Sequence, residues 1–154
     1  MAALNGIRRR CKSASGQELI EFGLTLPLLL IVLLGIIEFG LMFRDYEVVT
    51  NAAREGARIA VLPTYTKNDA LTRINQYLTA GRLDPTIVTK TVGDPVSTPI
   101  GGNCMYTVRV DVVYPHAILF VGGIARYFGG LFPGTVNLTA TSTMRTEAAA
   151  GTCP

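Results

Sequence analysis

The sequence predicts an α+β protein in which a long N-terminal transmembrane helix continues into a small extracytoplasmic domain with an antiparallel sheet. Three observations carry this. From Phe22 to Phe43 the chain runs for 22 residues with Glu38 as its one charge, enough helix to cross a bilayer core of about 30 Å. From Arg44 to Leu62 no proline or turn cluster interrupts the helical pattern. Beyond Thr86, three stretches alternate apolar and polar residues with period two. The expected organisation is a basic leader at 1–16, a long helix at 17–62 with its transmembrane part at about 22–43, and an extracytoplasmic α+β domain at 63–154.

With 49% hydrophobic and 16% charged residues among 154, the chain is too apolar to be disordered. The outer part is short, so its modest core needs support from the long helix, a covalent staple or partners. The net charge of +3 is located at one end: Arg8, Arg9, Arg10 and Lys12 precede Gly16, and the rest of the chain carries −1. That leaves no basic footprint for phosphates and excludes nucleic acid as a partner. A basic cluster directly before an apolar helix places the N-terminus in the cytoplasm and sends the C-terminal part across the membrane. Arg44, Arg54 and Arg58 follow the span, but Asp45, Glu47 and Glu55 accompany them.

An ordinary secretory signal has an apolar stretch of roughly 7–15 residues and a small-residue exit. Here the stretch is longer, and Phe43-Arg44-Asp45-Tyr46 offers no such exit. A plain uncleaved anchor satisfies the hydropathy equally well, but it needs neither Gly16 before the helix nor Glu21 five residues later. A carboxylate at a membrane boundary costs free energy and marks a functional contact. The run Gly16-Gln17-Glu18-Leu19-Ile20-Glu21-Phe22 resembles the processing site of prepilins, where a membrane-embedded peptidase cuts after the glycine. The resemblance implies cleavage between Gly16 and Gln17, with Glu21 fifth in the mature chain and Phe22 after it. The new α-amino group and Glu21 then lie as opposite charges at one apolar boundary, paired within one helix or between neighbouring subunits.

Past the membrane, Ala52, Gly56 and Ala60 recur every four residues beside Ala53 and Ala57, a smooth stripe that permits close backbone approach. It packs against the chain's own outer domain or docks a neighbouring subunit, and the first reading is preferred. Pro27 lies inside the anchor and is expected to bend it or loosen a hydrogen bond. Taken together, the Glu-Phe at 21–22, Pro27, the Glu-Phe-Gly at 38–40 and the run NAAREGAR at 51–58 resemble the TadE-like family over residues 16–61. Its members are pilin-like proteins of the tight-adherence (Tad) pilus and secretion system. The resemblance implies a pilin-like fold, placement in the bacterial inner membrane and processing by a prepilin peptidase. The partners it implies are that peptidase, other pilin-like subunits, inner-membrane pilus assembly proteins and membrane lipid. Glu38 is read either as a boundary residue snorkelling to headgroups or as a polar contact for a partner helix.

In the outer part, Leu71, Ile74, Tyr77 and Leu78 predict a helix over 68–80 with Asn68 as its cap and Gly81 as its stop. Strands are expected at Thr86–Val92, Tyr106–Tyr114 and Thr135–Arg145, forming a sheet that packs on the long helix. Between the last two, residues 116–134 are apolar and glycine-rich, yet Ala117–Ala125 is too short to span a membrane. This loop either meets the membrane surface or another subunit, or is buried beneath the sheet.

Cys11 falls in the leader, whereas Cys104 and Cys153 both lie outside and are expected to form a disulfide worth about 3–4 kcal/mol. Two free thiols are the alternative. No catalytic constellation is legible: His116 is the only histidine, no acidic or cysteine cluster has metal-ligand spacing, and the Gly-Gly pairs lack the order of a phosphate loop. The expectation is no enzyme, no cofactor and no metal. Two function classes remain, a pilin-like assembly component and a membrane-anchored binding module unrelated to pili, and processing after Gly16 separates them.

Overall fold

A computed structural model describes residues 14–100, 103–120, 122–123, 129 and 134–146. The expected α+β architecture is the one observed. Helix α1 (Ala14–Ala60) runs unbroken through Pro27 for 47 residues, about 70 Å at the helical rise. It has two regimes. From Gly16 to Leu33 every side chain is exposed, whereas beyond it Glu38, Asp45, Val49, Ala52, Ala53, Gly56 and Ala57 are buried. The latter recur every three, four or seven residues, so they form one face, and the outer domain packs against that face.

Helix α2 (Lys67–Ala80) lies across this face and presents Ala70, Ile74 and Leu78 to it. Thr66, not Asn68, is its N-cap. The carboxylate of Asp69, three residues on, returns a bond to the Thr66 amide at 2.8 Å while the Thr66 hydroxyl accepts from the Asp69 amide at 3.3 Å. A hydroxyl side chain at the cap with a carboxylate three residues on closes both bonds. The Thr66 amide and, at 2.7 Å, the Thr66 hydroxyl both donate to the Asp69 carboxylate and hold it below the usual carboxylate range. At the other end Gly81 is the C-cap. The left-handed residue, however, is Arg82 at φ 63°. Its amide bonds Thr79 O at 3.0 Å and the Leu83 amide bonds Leu78 O at 2.9 Å, the paired closure that buries Leu83 against Leu78. From α1, Arg44 donates to Gly81 O at 2.8 Å, setting a cation at the negative end of α2.

The sheet comprises β1 (Thr89–Val92), β2 (Val96–Ile100), β3 (Asn103–Ala117) and β4 (Thr135–Arg145), all antiparallel to β3 where they pair with it. Residues 110–113 of β3 pair with both β1 and β4, so β1 and β2 lie end to end along one edge of β3 and β4 along the other. The register slips by one between β1 and β2, which leaves Asp94 and Pro95 opposite Val108. Gly93 sits at this bulge, where a Cβ would come within 3.1 Å of Arg109 O.

Two strand expectations change. The first predicted strand starts at Thr89 rather than Thr86, because Asp84 Oδ1 holds both the amide and the hydroxyl of Thr86 in a turn, at 2.8 and 2.7 Å. The second extends past Pro115 to Ala117. Beyond Val113 only β4 accompanies β3, so the missing proline donor faces an unpaired edge. Strand β2 was not anticipated, and its Pro99 is tolerated because β2 is an edge strand. Even-numbered residues of β3 and β4 point to the helices, with Val108, Val110, Val112, Leu138, Ala140 and Ser142 buried and Tyr106, Tyr114, Val136 and Met144 half-buried. The opposite face is largely exposed.

The small-residue stripe of α1 is used within the chain. A Cβ on Gly56 would stand 2.5 Å from Ile74 Cγ1, so only glycine lets α2 come this close, and Ala52 and Ala57 beside it are fully buried. Gly56→Ala should therefore destabilise the domain by about 1–2 kcal/mol, because overpacking outweighs the helix-propensity gain. An unchanged denaturant midpoint would remove the argument. Arg82→Gly should act in the opposite direction and raise stability by about 0.5–1 kcal/mol by relieving the left-handed backbone, measured in the same unfolding experiment.

Candidate functional site: a carboxylate clasp at the membrane end of the domain

Glu38 and Asp45 are seven residues apart on α1, two turns, and so project from the same face. His116 arrives from β3. It is in phase with Val108, Val110 and Val112, so the sheet alternation turns it inward. The three meet where the sheet reaches furthest down α1. His116 Nδ1 lies 2.8 Å from Asp45 Oδ2, and its Nε2 is 3.9 Å from Glu38 Oε1. Glu38, Asp45 and His116 are 7%, 8% and 5% exposed, so each would be costly to bury without its neighbours.

Glu38 also holds the chain that leaves β3. Its two oxygens accept the amides of Leu119 and Phe120, at 2.8 Å to Oε1 and 2.6 Å to Oε2. Successive backbone N–H groups facing one carboxylate make a small anion cradle. Here the anion belongs to the protein's own helix. The hydrogen bond between His116 Nδ1 and Asp45 Oδ2 fixes the ring. His116 Nε2 is buried without a hydrogen-bond partner among the described residues. Tyr114, two residues before, has its hydroxyl pushed upward in pKa by burial first and then by the charges of Asp45 and Asp84, against a lowering from Arg44. Among the described residues no three His, Cys, Asp or Glu side chains form a metal-ligand set.

Within the chain the Glu38 carboxylate is buried and faces the turn after β3, which supplies two donors that no local pattern around Glu38 reveals. His116 and Asp45 were missed as site residues. The available signal was the seven-residue spacing of the two acids on one helix face, together with the parity of His116 in the alternation of β3. Of the predicted apolar loop, Ile118 is half-buried whereas Leu119 and Phe120 are 63% and 38% exposed. The segment thus passes from the buried His116 to an exposed turn at Leu119 and Phe120, and most of its remainder lies outside the described residues.

The other singled-out residues are placed as follows. Gly16, Gln17, Glu21 and Phe22 are exposed on the part of α1 that projects below the domain, with Gln17 and Glu21 one turn apart. Ala52 and Gly56 are buried in the seam between α1 and α2, and Ala60 is half-buried against the same core. Cys104 is buried and disulfide-bonded. Cys153 and Cys11 lie outside the described residues.

The described residues contain one helix long and apolar enough to cross a membrane, and it is this projecting helix. Compared with known families, the same stretch matches the TadE-like protein family from residue 16 to residue 58. Residues 16–58 are TadE-like. No curated protein and no solved structure matches the chain significantly. The TadE-like segment covers nearly all of α1 and includes Glu38 and Asp45, whereas His116, Leu119 and Phe120 fall outside it. The clasp thus joins the TadE-like anchor to the remaining part of the chain. Such a segment points to a Tad pilus-associated, pilin-like protein with an N-terminal membrane anchor.

Glu38→Ala should free the amides of Leu119 and Phe120, whose bonds to a charged acceptor are worth about 1.5–3 kcal/mol each. Their hydrogen exchange should accelerate by about tenfold or more, since about 1.4 kcal/mol is a factor of ten. The amide of Val110, deep in the sheet, serves as the control. Unchanged exchange at 119 and 120 would mean that the clasp does not hold the turn.

Proposed function

We propose that this protein is a pilin-like, non-catalytic component of Tad-type pilus biogenesis, of the pseudopilin or minor-pilin kind. It is anchored in the bacterial inner membrane by α1, with the N-terminus cytoplasmic and the sheet domain extracytoplasmic. A prepilin peptidase cleaves it between Gly16 and Gln17. The observation that carries this reading is that the TadE-like match begins at Gly16, the residue after which cleavage is expected from the spacing to Glu21 and Phe22. The basic leader at Arg8–Lys12 supports the orientation.

In this reading the exposed lower half of α1 is what the assembly machinery handles. Gln17, once its amine is free, and Glu21 are one turn apart on the exposed start of the apolar helix, with Glu18 beside them, and neutralising the amine and Glu21 within the chain or with a neighbouring subunit lowers the cost of both charges in the membrane. Other pilin-like subunits and inner-membrane assembly proteins are the partners. The protein performs no reaction of its own and is a substrate of the peptidase.

The test is the intact mass of the protein purified from membranes, with and without the prepilin peptidase of the same system. The expected result is a peptidase-dependent loss of Met1 to Gly16, and failure of pilus assembly in Glu21→Ala even where cleavage persists. A chain of full mass in both samples would overturn the processing mechanism and favour a plain membrane-anchored binding module.

A further inference from the structure

The clasp makes most physical sense at a particular height. A hydrocarbon layer of about 30 Å that begins at Phe22 ends about 20 residues on, near Leu41. Glu38 therefore falls at the outer edge of that layer, as do the two amides bonded to it. In hydrocarbon a bare carboxylate and unpaired backbone N–H groups are each expensive, whereas in water neither needs the other. The bonds from Leu119 and Phe120 to Glu38 satisfy both requirements at once.

The side chains around the clasp agree with this height. Leu119 and Phe120 are 63% and 38% exposed, and on α1 Ile36, Phe39 and Phe43 are 65%, 68% and 59% exposed at the same level. These continue the apolar surface of the membrane-spanning helix without a polar break. Between helix and turn lies a cavity of about 270 Å³ lined by Gly35, Phe39, Met42, Ile118 and Val136 together with Glu38 and His116. An apolar cavity at this depth opens onto acyl chains.

We propose that the turn 118–120 is a membrane-seated foot of the outer domain. Leu119 and Phe120 enter the acyl–headgroup boundary of the outer leaflet beside α1, Glu38 holds them there, and lipid hydrocarbon fills the adjoining cavity. The domain therefore rests on the bilayer instead of standing clear of it. The binding partner is the lipid surface. A second copy of the chain is the competing occupant, and continuity of the exposed apolar surface from the anchor to the foot favours lipid.

This inference rests on the reading of α1 as a membrane span, and the experiment separates the two. The chain contains no tryptophan and six tyrosines, so Phe120→Trp and Leu30→Trp each introduce a single tryptophan that is excited selectively at long wavelength. Both full-length variants are reconstituted into phosphatidylcholine vesicles whose acyl chains carry bromine at shallow or deep positions. Trp at position 30 should be quenched chiefly by deep bromines. Trp at position 120 should be quenched chiefly by shallow ones and shielded from acrylamide, and adding Glu38→Ala should abolish that shallow quenching while leaving position 30 unchanged. Quenching at 30 with none at 120 overturns the foot alone, and shielding from acrylamide without bromine quenching assigns the surface to a second copy. Absence of quenching at both positions removes the span, and the foot with it. Shallow quenching that survives Glu38→Ala overturns the holding role of Glu38.

Discussion

One helix serves two solvents, and the rest of the structure answers that constraint. The 47 residues of α1 are a hydrocarbon-compatible rod over their lower half and a wall of a protein core over their upper half, with no loop between. A surface helix needs one apolar stripe, whereas a membrane helix needs apolar residues all round. The changeover therefore has to occur within a continuous hydrogen-bonded ladder. It is visible in the burial pattern, where uniform exposure up to Leu33 gives way to a single buried face from Glu38 onward.

The clasp lies at that changeover. Two acids two turns apart mark the lower end of the buried face, and the sheet reaches them because β3 continues past Pro115 along β4. Higher up, α1 is joined to the domain by different means: the Arg44 bond to Gly81 O, the Gly56 approach to Ile74, the Glu55–Arg73 ion pair and the bond from the Thr146 hydroxyl to Val61 O. The anchor and domain are thus joined along about 23 residues of helix, from Glu38 to Ala60. A domain held along that length has little freedom to swing relative to the span.

The core itself is small and depends on residues without bulk. Ala52, Ala53, Ala57, Ala70 and Ala140 are buried beside Val49, Ile74, Leu78, Val110 and Val112. Small residues on α1 bring α2 and the sheet close, so dispersion contacts are gained by proximity more than by side-chain size. The disulfide at Cys104 adds the kind of covalent restraint that a domain of this size uses to offset chain entropy.

Much of this was legible before the tertiary structure. Hydropathy and helical period suffice for α1, because its lower half must be apolar all round and its upper half repeats small residues every four positions. Strand β4 keeps its predicted bounds because alternation with one buried face is a local property. The spacing of Gly16, Gln17, Glu21 and Phe22 is likewise local. Tertiary contact alone decided the fate of Glu38, since its donors lie 81 and 82 residues away, and it decided that His116, past a proline that reads as a strand stop, faces Asp45. It also decided that β1 and β2 share one edge of β3. Sequence patterns report which face a residue occupies and which solvent suits it, whereas pairing between distant polar groups depends on where the backbone brings them, and no local period encodes that.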